Sequence, residues 1–541
     1  MRQGAAEVGH TGRRRWGWSH AARIAVAVAS ITLAALSIWR IEAVSAPLQV
    51  ERFSIGTTPV TLRTLPEAGP GPVVVIAHGF AGSRQLMAPF AVTLARAGYT
   101  TLSFDFPGHG RNPVPMTGDV RAEDGATRAL LAALTGVIAA ARDLPGSDGQ
   151  VALLGHSMAA DIIVRAAIAQ PDLAATIAVS MFSPAVTASA PGNLLMIVGA
   201  WEAPLVEEAR RVLRLSAGPE ALVGTRYGDP VQGTARMLVV APSVEHVGVL
   251  YSGASLAAAQ AWLDGVFGTE RPYRPDLRGP WVLALLAGVV ALGWPLARLL
   301  PRVRPPRMSP VARPWLAVLG PAIATPLILW PLPTDLLPVL VADYLAAHFA
   351  LYGLLLGGML YAQGVWRPGL PDARVLAAGL GAGLFCILGP GIALDSYVAN
   401  FLPHAGRVPV IAALALGTVL FTLAEEALIR APARPIPGPG LAPRPIPGPG
   451  PRPSSDPGSG RWWVGAASKA AFVLSLIAAI MLDFQGLFFL IIILPVIVLF
   501  FLVYGLLDRW IHGQTQHPVA AGLALGAAFA WALGVTFPLA G

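Results

Sequence analysis

Nine stretches of this sequence are apolar over about the length that crosses a bilayer, which takes roughly 20 apolar residues in a helix. The residue content agrees, because 55% of the 541 residues are hydrophobic and only 13% are charged. The sequence therefore predicts a multi-pass membrane protein with about nine helical spans: Ala21–Ile38, Trp281–Leu300, Trp315–Trp330, Leu336–Tyr361, Val375–Leu394, Val408–Leu428, Trp462–Leu482, Leu487–Leu507 and Val519–Leu539.

Arginine supplies nearly all of the positive charge, since Lys469 is the only lysine in a chain of net charge +8. The arginines cluster at the ends of apolar segments, so the charge indicates membrane orientation and not binding to nucleic acid. They collect in the amino-terminal tail and in alternate loops, while the opposite loops hold only Arg407. We therefore expect a cytoplasmic amino terminus in a cell membrane of the bacterial inner-membrane type, with residues 46–273 on the outer, periplasmic or extracellular, side.

Three regions of different composition follow from these spans. The first apolar stretch is expected to remain as a signal anchor, because Pro47 is unfavourable directly after a cleavage site at Ala46. A heptapeptide, RPIPGPG, occurs twice in a Pro/Gly-rich loop that should be extended and without a core. The predicted regions are a basic tail and anchor (1–45), an outer domain (46–273), and an eight-span membrane domain (274–541) with the Pro/Gly-rich loop at 431–460.

Short apolar runs alternate with helical patterns between residues 46 and 273. This alternation indicates a mostly parallel sheet covered by helices on both faces, with the first two strands as an antiparallel start. In such sheets the chemistry lies at the carboxyl ends of the strands. The predicted fold class is α/β with about eight strands, joined to an all-α transmembrane domain; the strands are Val50–Ile55, Val60–Leu65, Val73–Ala77, Thr100–Phe104, Val151–Leu154, Thr176–Ser180, Leu194–Val198 and Met237–Ala241.

A serine follows the fifth of these strands in a turn between small residues. The segment is Gly155-His156-Ser157-Met158-Ala159, and a helical pattern begins directly after it. Strand, turn and helix in this order form the context in which a serine acts as a nucleophile. Small residues suit the sharp turn, although glycine is usual where this sequence has Ala159.

Three segments in this order resemble the α/β-hydrolase family over about 230 residues. The third strand is followed by His78-Gly79-Phe80, the fourth by the segment Asp105-Phe-Pro-Gly-His-Gly, and the fifth by the serine turn. The resemblance implies that Ser157 is the nucleophile and that His78 and Gly79 belong to the oxyanion loop. It also implies that the backbone N–H groups of Phe80 and Met158 are the oxyanion donors.

The family order then requires an acid after a later strand and a histidine after the last one. Glu202 and His246 hold these two positions. His246 would take the serine proton and return it to the leaving group, while Glu202 would orient the imidazole. Asp229 and Glu245 are the competing acids, and His156 is expected to line the pocket. His109 and Asp105, in the turn after the fourth strand, are expected to support that turn.

The resemblance implies a serine hydrolase that cleaves a small-molecule or lipid ester, with the bilayer as its other partner and without a cofactor. No cysteine metal site is expected, because Cys386 is the only cysteine. Two alternatives stay open. One is a serine peptidase or acyltransferase with the same triad, and the other is a transporter or channel whose outer domain is regulatory. The oligomeric state is not predicted.

Ionisable residues within the spans carry a separate set of hypotheses, because such groups are costly in a membrane. Asp343 and His348 lie on the fourth span, and Glu425, Glu426 and Arg430 close the sixth. Glu-Glu-x-x-x-Arg resembles the first motif of CAAX-type intramembrane proteases, which would make the two glutamates catalytic or metal-associated. The alternatives are pairing of the glutamates with Arg430 and a transport or proton-relay role.

Overall fold

The structure is a computed structural model that describes residues 11–118, 125–367, 369–432 and 462–541. The first ten residues and nearly all of the predicted Pro/Gly-rich loop lie outside this part of the chain. Two regions are distinguished below: an α/β region, residues 49–267, and a helical region that begins at residue 279.

The α/β region contains one eight-stranded sheet, in the order β1-β2-β4-β3-β5-β6-β7-β8. β1 and β2 pair antiparallel, β2 pairs antiparallel with β4, and the other neighbours are parallel. This confirms the predicted fold class and its antiparallel start. The strands are β1 (Gln49–Ile55), β2 (Thr58–Thr64), β3 (Gly71–Ala77), β4 (Thr100–Phe104), β5 (Ser147–His156), β6 (Ala175–Val179), β7 (Leu194–Gly199) and β8 (Arg236–Ala241).

Helices cover both faces of the sheet, which explains why the central strands are continuously apolar. One face packs on α2 and α6 through side chains such as Phe90 and Trp262. The other face packs on α3 and α4, where Leu134 and Ile163 are fully buried. Each such side chain contributes about 1.5–3 kcal/mol relative to exposure. The helices are α2 (Ala88–Arg96), α3 (Ala126–Arg142), α4 (Met158–Ala169), α5 (Ala203–Ala217) and α6 (Gly253–Phe267).

Eight helices in the described residues are long and apolar enough to cross a membrane. The third predicted span, Trp315–Trp330, is not among these eight, since it forms a helix of only 16 residues, α8. The helices outside the α/β region are α1 (Thr11–Ser45), α7 (Gly279–Leu296), α8 (Pro314–Leu329), α9 (Ala342–Ala362), α10 (Ala373–Tyr397), α11 (Val408–Arg430), α12 (Trp462–Leu482), α13 (Phe484–Leu487), α14 (Leu490–Thr515) and α15 (Pro518–Thr536).

Helix α8 has the predicted length of 16 residues, and two prolines follow its end. Pro331 and Pro333 lack the backbone N–H that a continuing helix needs. At about 1.5 Å per residue α8 spans roughly 24 Å, less than the ~30 Å hydrocarbon core. The start of α8 lies beside the end of α9, since the Arg313 N–H donates to the Gln363 side chain. In the linker from α8 to α9, the Leu340 N–H donates to the carbonyl of Pro538, which follows α15.

The loops after β3 and β4 contact one end of the helical region. Arg407 is fully buried there and donates to the carbonyls of Gly534 (2.9 Å), Phe537 (2.8 Å) and Gly108 (2.9 Å). Leu539 also exchanges backbone hydrogen bonds with Gly108 and with Met116, which follow β4. The one arginine that departed from the charge pattern of the loops is therefore a buried structural contact between the two regions.

Candidate active site

Ser157 lies on a strained turn between β5 and α4. Its backbone has φ of +55°, a value that residues other than glycine rarely adopt, and its N–H donates to the carbonyl of Val179 (2.8 Å). A Cβ on Gly155 would lie 2.7 Å from the carbonyl oxygen of Ala159, so a residue larger than glycine would collide with α4. This close packing explains why a small residue was predicted at position 155. The turn holds the serine at the carboxyl edge of the sheet.

His246 contacts both of the residues that the sequence paired with it. Its Nε2 lies 2.9 Å from Ser157 Oγ, and its Nδ1 lies 2.5 Å from Glu202 Oε1. An ionised carboxylate only accepts hydrogen bonds, so Nδ1 carries the proton and Nε2 is free to accept from the serine hydroxyl. Three loops, after β5, β7 and β8, bring these side chains together.

The carboxylate of Glu202 is held by donors on its other oxygen. Oε2 accepts the Gly199 N–H (2.7 Å) and the Ser180 hydroxyl (2.7 Å). Burial alone would raise the pKa of Glu202, but the hydrogen bonds from His246, Ser180 and Gly199 outweigh it and lower that pKa from its ordinary value. Glu202 is therefore ionised at neutral pH, with only Oε1 left to face the imidazole.

The two competing acids are occupied elsewhere. Asp229 accepts the N–H of Val231 (2.9 Å) in an exposed turn, and Glu245 accepts the N–H groups of Val247 and Gly248. Among the hydrogen bonds and ion pairs of the described residues, neither side chain contacts His246.

The predicted oxyanion loop packs against the serine turn. A Cβ on Gly79 would lie 3.0 Å from the Cβ of Ser157, so the backbone that leads to Phe80 passes close to the nucleophile. His78 accepts the N–H of Phe106 and donates to the Gly79 carbonyl. These two hydrogen bonds hold the oxyanion loop against the turn after β4. Met158 begins α4, and the N–H at this position has no partner within a helix.

The side chains of His156 and His109 form hydrogen bonds with backbone carbonyls. His156 donates to the carbonyl of His246 (2.9 Å), and His109 donates to the carbonyl of Pro107 in its own turn (2.9 Å). The turn is held further by Asp105, which accepts the N–H groups of Arg84 and Arg111. Burial lowers the pKa of His156 and of His109 to about 3, and that of His78 to about 4, so all three are neutral imidazoles.

Because these three histidines are buried as neutral imidazoles, we expect the folded protein to be less stable in acid. In the unfolded chain each binds a proton below about pH 6.5, but in the folded chain only near pH 3–4. The contribution of these histidines to the free energy of unfolding should therefore be constant above pH 6.5 and fall below it, by up to about 1.4 kcal/mol per pH unit for each histidine. Thermal unfolding of the detergent-solubilised protein between pH 8 and pH 4.5 measures this. His109→Gln should lower the slope by about one proton, and an unchanged slope would contradict the assignment.

The helical region supplies contacts to the oxyanion loop that the sequence analysis did not identify. The ring of Phe489 stacks on that of Phe80, with 4.3 Å between centroids. The N–H of Asn400 donates to Ser83 (3.2 Å), and Asp395 forms a 2.5 Å ion pair with Arg111. Asn400 and Asp395 lie more than 280 positions from their partners, so no local pattern pointed to them. Ser180 was also missed, although its position after β6 at the carboxyl edge was a usable signal.

Each ionisable group that the sequence singled out in the helical region has a hydrogen-bond partner. Glu426 contacts Arg430 (3.1 Å) as one alternative expected, whereas Glu425 contacts Lys469 (3.0 Å). His348 lies between Tyr344 (3.3 Å) and Ser475 (3.1 Å). Asp343 accepts the N–H of Tyr344 at the start of α9. The described residues contain no group of three or more His, Cys, Asp or Glu side chains that could hold a metal ion.

Comparisons with known proteins bear on the α/β region alone. Residues 68–229 match the family model described as serine aminopeptidase, S33, a segment that includes Ser157 and Glu202. No curated protein matches the chain.

Similar solved structures include a dienelactone hydrolase from Anabaena variabilis, at 20% identity and a TM-score of 0.30, covering 40% of this chain and 97% of that one. Another is a putative dienelactone hydrolase from Klebsiella pneumoniae, at 18% identity and a TM-score of 0.31, covering 41% and 98%. An epoxide hydrolase from Vigna radiata, at 20% identity and a TM-score of 0.21, covers 26% and 40%.

Proposed function

We propose, from the α/β-hydrolase domain that residues 68–229 form, that this chain is a membrane-anchored serine hydrolase that cleaves a carboxylic ester through an acyl-enzyme. The observation that carries the proposal is the unbroken contact from Ser157 through His246 to Glu202. The eight long apolar helices support its anchoring in a membrane.

The proposed reaction follows from the roles of these atoms. Ser157 Oγ attacks the ester carbonyl while His246 Nε2 takes its proton, and the N–H groups of Phe80 and Met158 stabilise the oxyanion. The imidazolium, stabilised by Glu202, gives that proton to the leaving alcohol as the ester C–O bond breaks. Water, activated by the same imidazole, then releases the acid and restores the serine.

Labelling by a fluorophosphonate tests this proposal directly, because the probe reacts only with a serine that has been activated. The full-length protein in detergent should be labelled, and peptide mass spectrometry should place the adduct on Ser157. His246→Ala should abolish labelling while leaving the fold intact. An unlabelled but folded wild-type protein would overturn the proposal, whereas labelling with cleavage of arylamides and not of esters would make the enzyme a peptidase.

The arginine distribution supports a location of this site on the outer side of the membrane. Val231 lies in an exposed turn of the α/β region and suits a topology test. A membrane-impermeant maleimide should label a Val231→Cys variant in intact cells or spheroplasts. Labelling that requires permeabilised membranes would place the site in the cytoplasm.

A further inference from the structure

A row of four aromatic rings leads from the oxyanion loop to the surface of the helical region. Phe80 stacks on Phe489, Phe489 lies 5.8 Å from Phe488, and Phe488 lies 5.7 Å from Phe484, measured between ring centroids. Phe488 is 45% exposed and Phe484 is 54% exposed, although both rings are wholly apolar. We call these four residues the aromatic row. One end of it is on the loop that carries a proposed oxyanion donor.

The exposed end of the aromatic row continues into an apolar stripe along α14. Ile491, Leu499, Leu502 and Leu506 are exposed and, with Pro495 between them, recur every three or four residues. Most of α14 belongs to a segment long and apolar enough to cross a membrane, so an exposed face of this kind is in contact with lipid.

The stripe is long enough to lie along an acyl chain of one leaflet. From Ile491 to Leu506 the helix rises about 22 Å, which is more than the roughly 15 Å of half a ~30 Å hydrocarbon core. Many helices of a membrane protein have exposed apolar faces. This face is distinguished because it is continuous, ring by ring, with the loop beside Ser157.

The loops after β3 and β4 contact one end of the helical region, and this places one end of the aromatic row beside the proposed active site. Arg407 binds the turn after β4, and Asn400 binds Ser83 in the loop after β3. These buried contacts hold the carboxyl edge of the sheet, where Ser157 lies, against the helical region. A chain lying on the stripe of α14 would therefore end at the mouth of the serine site.

We propose that the aromatic row and the stripe of α14 guide the acyl chain of a bilayer lipid, so that the substrate is a long-chain acyl ester presented from the membrane. This inference rests on the proposed hydrolase function. The Ser157 oxygen forms a bond to the acyl carbon, the bond to the head-group alcohol breaks, and His246 protonates that alcohol. Water then releases a fatty acid. Lipid tails are as apolar as these side chains, so the row acts by orienting the ester and not by adding affinity.

The test compares two p-nitrophenyl esters of different acyl-chain length in proteoliposomes that contain the full-length protein. The wild type should prefer p-nitrophenyl palmitate to p-nitrophenyl acetate in kcat/KM. The double variant Phe484→Ala/Phe488→Ala should lose about tenfold on palmitate, equivalent to about 1.4 kcal/mol, and change by less than about twofold on acetate. The variant Phe484→Leu/Phe488→Leu, which keeps apolar bulk, should recover most of the loss.

A matched control is available at the same end of the helical region. Leu332 and Leu336 are 51% and 72% exposed. They lie just before Pro338, whose carbonyl accepts the N–H of Ala540. Leu332→Ala/Leu336→Ala should leave both rates unchanged. The inference is overturned if the wild type shows no preference for palmitate, or if the phenylalanine variants lose equally on both probes. A wild type that cleaves neither probe and resists fluorophosphonate would instead refute the proposed function itself.

Discussion

Replacing Ser157 with alanine should lower kcat for ester hydrolysis by about 10⁴- to 10⁶-fold and leave KM nearly unchanged. The hydroxyl oxygen is the atom that would bond to the acyl carbon, and its contact with His246 would activate it. Alanine keeps the Cβ, so the backbone with φ of +55° carries no new strain. Steady-state kinetics with p-nitrophenyl acetate, together with a thermal unfolding curve for each variant, measures the effect.

Ser183 offers a control from the same edge of the sheet. It follows β6, is fully buried, and donates to Asp161 (2.5 Å) without touching the proposed triad. Ser183→Ala should change kcat by less than about threefold. If the Ser157 variant kept more than about a hundredth of the wild-type rate, or if the two variants lost activity equally, Ser157 would not be the nucleophile.

The sheet and the site geometry could be predicted because their signals are local. A buried strand shows as a short apolar run, and the turn after it shows its small residues, as at Gly155 beside Ser157. The positions of Glu202 and His246 followed from their order after later strands. That order is the one the resemblance to the α/β-hydrolase family implies, and parallel strands bring their carboxyl ends, with these three residues, to one edge.

The contacts between the two regions could not be predicted in this way. Phe489 and Phe80 are 409 positions apart, and nothing in the pattern around either distinguishes it from other apolar residues. Arg407 looked like a loop charge, because its burial depends on three carbonyls from other parts of the chain. The stretch Trp315–Trp330 was counted as a span from its hydropathy alone, but Pro331 and Pro333 follow the helix, which at 16 residues is shorter than the roughly 20 residues that cross a bilayer.

Replacing Glu202 with glutamine should lower kcat by about 10⁴-fold, although the two side chains have the same shape. The Gly199 N–H is a fixed donor to Oε2, so the single oxygen of the glutamine must take that position. Its NH₂ group then faces Nδ1 of His246. The imidazole is forced into the tautomer with its proton on Nε2, where it can no longer accept the proton of Ser157.

Ser180 separates this tautomer effect from a general loss of structure. Its hydroxyl donates to the same Oε2 of Glu202, but Gly199 remains when it is removed. Ser180→Ala should therefore cost only about tenfold in kcat, near the low end of the about 1.5–3 kcal/mol for a hydrogen bond to a charged group. Losing a donor should also raise the pKa of Glu202, because the hydrogen bond from Ser180 helps to lower it. Glu202→Asp, which keeps the charge, should retain more activity than Glu202→Gln. Equal activity in the glutamine variant and the wild type would show that His246 does not depend on this carboxylate.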